Sequence, residues 1–131
     1  MVSEVPPAGF VRYRSPVADP RLGLHVGIFG LVNQLGRGGL LSADDEAFRR
    51  TANAWFDAAY PDPCTVDPSV YDRTVNPGAV AWFRTTATHL LERVPPYLDL
   101  LDRYAVAWER VESDDPGRVV YADDVQVVVV P

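Results

Sequence analysis

The side chains of this chain whose types and spacing could do chemistry are two histidines, a set of arginines and one well-placed tryptophan. Over Asn76 to Pro95 the apolar residues Val80, Phe83, Ala87, Leu90, Leu91 and Val94 recur at a helical period, which predicts a helix with that stripe facing the core. Asn76 suits its N-cap and Pro77 its first turn, and Pro95-Pro96 would stop it. Trp82 and His89, seven residues apart, then align on the outer side with Thr85 and Arg93 beside them. There the imidazole could act as a base or meet a partner, with the indole as a stacking wall. The plain alternative packs Trp82 under residues 61 to 75 and leaves His89 an ordinary exposed polar residue. Arg84, at the edge of the stripe, needs either a carboxylate such as Asp57 or Asp99 or an anionic ligand.

His25 lies in apolar surroundings and reads as a satisfied core histidine or, in a pocket, as an acid or base. Arg12 and Arg14 share one face of a short N-terminal strand. With Arg110 and Arg118 they either line an anion-binding face or form a solvated face paired with Glu109 and Glu112. His25, His89 and the carboxylates of residues 61 to 75 lack ligand-like spacing, so neither a metal nor a cofactor is expected. Cys64 follows an acid, which disfavours a thiolate, and no serine sits in a nucleophile elbow.

Composition narrows the field. All 12 basic residues are arginine, which excludes chemistry that needs a lysine amine, and the net charge of -6 argues against nucleic acid. Leu35 to Gly39 is glycine-rich, yet the helix after it opens on Asp44, Asp45 and Glu46, which would repel a phosphate and instead suit a capped helix start at Ser42. No apolar stretch approaches the ~20 residues of a membrane span, and MVSEVPPAGF does not read as a signal peptide. A lone cysteine suits a reducing compartment, so the expected location is the cytoplasm.

These residues must be positioned by one domain, residues 1 to 131. Residues 1 to 8 read as a lead-in, Phe10 to Arg14 as a strand, and Ala43 to Tyr60 as a helix. Leu22 to Leu35 fits helix or buried strand, with helix preferred for its length. Residues 61 to 75, rich in Pro and Asp, read as a long loop that serves as a lid or partner contact. A short helix from Pro96 leads into a strand at Val106 to Val111, then into strands at Arg118 to Ala122 and Val125 to Val130 joined at Asp123-Asp124. Four consecutive valines place the last strand centrally, with the first strand beside it.

The expected fold is α+β: an antiparallel sheet of about four strands, one N-terminal and three C-terminal, covered on one face by three to four helices. The expected function is a non-catalytic accessory protein engaging a protein partner with a basic face through Trp82, His89 and the 61 to 75 loop. The alternative is a small enzyme or ligand-binding domain with a pocket for an anionic small molecule, using His89 or His25 as acid/base and Arg84 or Arg12 as anion holder.

Overall fold

The computed structural model describes residues 8 to 131, so the lead-in falls, up to residue 7, outside the described residues. Five strands form one antiparallel sheet: β1 (Phe10–Arg14), β2 (Val80–Arg84), β3 (Glu109–Ser113), β4 (Arg118–Ala122) and β5 (Gln126–Val130), in spatial order β3-β1-β2-β5-β4. The helices are α1 (Ile28–Arg37), α2 (Ala43–Ala59), the four-residue α3 (Thr88–Leu91) and α4 (Pro95–Arg103). The fold is α+β, with one more strand than expected.

That strand, β2, occupies the middle of the segment predicted as one long helix. Its residues alternate across the sheet: Phe83 joins the main core with Val11, while Trp82 packs with Val127 and Val129 on the opposite face. β-Branched and aromatic residues suit a pleated surface, and Val80, Trp82 and Phe83 find it beside β5, Val80 opposite Val129 and Trp82 opposite Val127. Phe83, Ala87, Leu90 and Val94 are all buried as the helical stripe required, but one comes from the strand, one from the turn after it, and two from α3 and its exit. Apolar residues fitted both periods, and pairing with β5 decided between them.

Asn76 to Ala79 is a turn rather than a helix start. The Ala79 N–H donates to the Asn76 carbonyl at 3.3 Å, Pro77 takes the second position, and Gly78 takes the third with φ +74°. This is the type II arrangement, which requires a positive φ where Gly78 stands. Asn76 is buried, and its Nδ2 donates to the carbonyls of Ser69 and Val70.

The long loop is fastened from within. A 3-10 turn at Pro63–Thr65 follows Asp62, whose Oδ1 accepts from the Cys64 N–H, and Asp67 and Asp72 accept from backbone amides two or three residues on. Val70 anchors the loop, fully buried. The acids thus serve turn geometry.

Helix α1 begins only at Ile28. Before it, residues 15 to 27 leave β1 and return: the Ser15 N–H donates to Val26 O at 2.7 Å, Asp19 N–H to Leu24 O at 2.8 Å, and Arg14 bridges to Gly27. Ile28, Leu31, Val32 and Leu35 face the core. The start of α2 is capped as expected, Ser42 Oγ accepting from the Asp45 N–H. Strand β5 is interior, with Gln126 to Val129 buried, but its neighbours are β2 and β4; β1 lies between β3 and β2.

Candidate functional site

Strands β1 and β2 run together only at Phe10 opposite Arg84 and Val11 opposite Phe83, and then part. Arg12 fills the opening. Its Nη1 donates to Ala81 O at 2.9 Å and its Nη2 to His25 O at 2.7 Å, so a guanidinium takes the place of ladder N–H groups. Among the described residues Arg12 has no carboxylate partner. Its removal from water, with the cation of Arg14 nearby, lowers its pKa to about 10. A half-buried charge satisfied only by carbonyls keeps its electrostatic demand.

One side of this opening is a cleft of about 440 Å³ whose lining includes Arg12, Arg14, His25, Leu24, Val80 and Pro131. Arg14 is held by Glu109 through one nitrogen, Nε to Oε1 at 2.9 Å. His25 Nδ1 lies 2.8 Å from Ser15 O. A carbonyl only accepts, so Nδ1 carries the proton and Nε2 is the ring atom left for other partners.

A second cleft of about 390 Å³ adjoins the first. Arg21, Arg73, Tyr71 and Asn76 line it, and it shares Leu24, Pro77 and Gly78 with its neighbour. Arg21 and Arg73 make no ion pair among the described residues. The acids closest to them in sequence are occupied: Asp19 Oδ1 accepts from the amides of Arg21 and Leu22, and Asp72 Oδ1 from those of Thr74 and Val75. Burial raises the Tyr71 phenol to about 12, so it stays a neutral donor. Four arginines and a histidine therefore border two joined clefts whose linings include no carboxylate side chain, in a chain of net charge -6. Oxyanions match such a lining, because guanidinium forks bind them in bidentate fashion.

Compared with models of protein families, with curated proteins and with solved structures, the chain finds no match in any of the three.

The remaining candidates lie apart from the clefts. Trp82 is 7% exposed, within the sheet, whereas His89 is exposed on α3, so the two do not form one helical face. Arg93 stacks over the Trp55 ring, 4.1 Å from its centroid. Arg84 takes neither Asp57 nor Asp99: its Nε donates to Asp123 O at 2.7 Å, and its guanidinium lies 5.5 Å from the Phe10 centroid. Arg110 lies opposite Tyr13, on the other face of the sheet from Arg12 and Arg14, and pairs with Glu112 at 2.7 Å. Of the expected binding residues, Arg12 and Arg14 thus meet in one cleft together with His25. Arg21 and Arg73 join them without standing out in the sequence. Their signal was local, an Asp one or two residues before each arginine in a turn-forming stretch.

A separate cavity of about 310 Å³ lies between α1 and α2, lined by Phe29, Asn33, Asn53, Phe56, Asp57 and Tyr60. Its amides are engaged: Asn33 Oδ1 accepts from Arg49 and Asn53, and Asn53 Oδ1 from the Tyr97 hydroxyl. Among the described residues no group of three or more His, Cys, Asp or Glu side chains is placed to hold a metal ion. No helix of the described residues is long and apolar enough to cross a membrane.

Proposed function

We propose that this chain is a ligand-binding domain for an anionic small molecule, held in the clefts beside Arg12. The observation that carries this is the Arg12 charge, supported only by carbonyls at the head of a cleft that Arg14 also lines, while no acidic side chain lines it. An incoming carboxylate or phosphate adds a counter-charge for Arg12 and accepts from the free parts of several guanidinium forks. Binding without turnover is the simpler reading, because Ser15, whose carbonyl meets His25, gives its hydroxyl to Val17 O. An accessory protein docking through Trp82 and His89 draws less support, since its aromatic anchor is buried.

A thermal-shift titration with citrate, phosphate and acetate, each at constant ionic strength against chloride, tests this. A ligand at about 100 times its dissociation constant adds about 2.7 kcal/mol of stability, a clear rise in Tm. The rise should saturate and should shrink in Arg12→Gln and Arg73→Ala. Responses no larger than that of chloride would overturn the assignment.

A further inference from the structure

The two clefts adjoin and share three lining residues. Each has its own pair of arginines, Arg12 with Arg14 and Arg21 with Arg73, and Leu24, Pro77 and Gly78 border both. We propose that the occupant is a small molecule with an acidic group at each end of a hydrocarbon spacer, an α,ω-dicarboxylate, one carboxylate in each cleft and the spacer over Leu24 and Pro77. This rests on the anion-binding assignment above and goes beyond it in naming the ligand class.

Three features select this class. The arginine pairs line different clefts, Arg12 and Arg14 of β1 one and Arg21 and Arg73 of the 15 to 27 and 61 to 79 loops the other, and so stand as two poles. Between the poles stand an aliphatic side chain, a proline ring and a glycine. Methylene groups gain from leaving water against the leucine side chain and the proline ring, which a diphosphate bridge does not. Gly78 borders open space, since a Cβ built there meets no atom within 4 Å. Its positive φ in the type II turn independently favours glycine at that spot.

Two tethered groups bind more tightly than either alone, because the second contact becomes intramolecular once the first has formed. A compact dianion carries the same charge over a shorter span. Span can therefore be separated from charge.

The test is isothermal titration of the full chain with malonate, succinate, glutarate, adipate and suberate, alongside hexanoate as a monocarboxylate, all at one ionic strength. The expected result is an affinity optimum at an intermediate length, at least tenfold tighter than both malonate and hexanoate. In Arg73→Ala that optimum should flatten to within threefold of malonate. Equal affinity across the dicarboxylate series, with pyrophosphate or citrate binding as well as the best member, would overturn the two-pole ligand and leave the anion site standing. Failure of every anion to bind would overturn both.

Discussion

The guanidinium of Arg12 stands 2.9 Å from the carbonyl of Ala81, on the far side of the gap where the first two strands separate. One side chain thus completes the backbone bonding of a sheet and brings a cation to the wall of a cleft. The structural half of that role can be measured. Arg12→Ala leaves the carbonyls of Ala81 and His25 without these donors and should cost about 1 to 3 kcal/mol of stability, read from urea unfolding at neutral pH. Arg12→Lys keeps the charge but cannot reproduce the planar fork, so its stability should fall between the two. A fully stable alanine variant would show that water serves both carbonyls as well.

Glycine at 78 should matter for its backbone. Its φ of +74° lies where an L residue is strained, so Gly78→Ala should lose about 1 kcal/mol. Gly39 makes a control: its φ is +66°, a Cβ there also meets nothing within 4 Å, and it lies outside both clefts. Gly39→Ala should show a similar loss of stability in thermal melts with anion affinity unchanged, whereas Gly78→Ala should weaken both.

The two residues expected on one helix face should behave oppositely. Trp82 is buried between Val127 and Val129, so Trp82→Ala should destabilise by about 3 to 5 kcal/mol. His89 is exposed, and His89→Ala should stay within about 0.5 kcal/mol of the wild type. Chemical denaturation of both variants checks this, and equal effects would contradict the strand assignment.

Acid should weaken the fold through Glu46. Hydrogen bonds from Arg49 and Arg50 hold its carboxyl at about 2, well below the ordinary value. The folded-state pKa is depressed, so this stabilisation is fully present above the ordinary value of about 4.5 and is lost as pH falls from there toward 2. The urea midpoint should decline over that window. Glu46→Gln should be the less stable protein at neutral pH, and its difference from the wild type should vanish near pH 2.

Much of the fold was legible in the residues themselves. The capped start of α2 and the hairpin of β4 and β5 were written locally, in Ser42 with Asp45 and in Asp123-Asp124 between valine-rich runs. The strand β2 was not, because Val80 and Phe83 satisfy a helical stripe as well as strand alternation, and only β5 beside them removes the ambiguity. The Asn76-Pro77-Gly78 run did carry a local warning, since Pro followed by Gly is turn chemistry. The candidate site was legible only in part. Arg12, Arg14 and His25 were visible as residues of interest, but their meeting with Arg21 and Arg73 depends on three segments far apart in the chain. No spacing rule reaches across such distances. What sequence could offer was the turn-forming tendency of Asp19 and Asp72, which commits these acids to the backbone and leaves the neighbouring arginines free of them.

The most direct test of the arginine clefts is a titration of isotopically labelled protein with glutarate at constant ionic strength, followed through backbone amide shifts. Saturable changes confined to Arg12 to Arg14, Arg21 to His25 and Arg73 to Ala79 are the predicted result. Shifts that do not saturate, or that centre on His89 and Arg93, would contradict it.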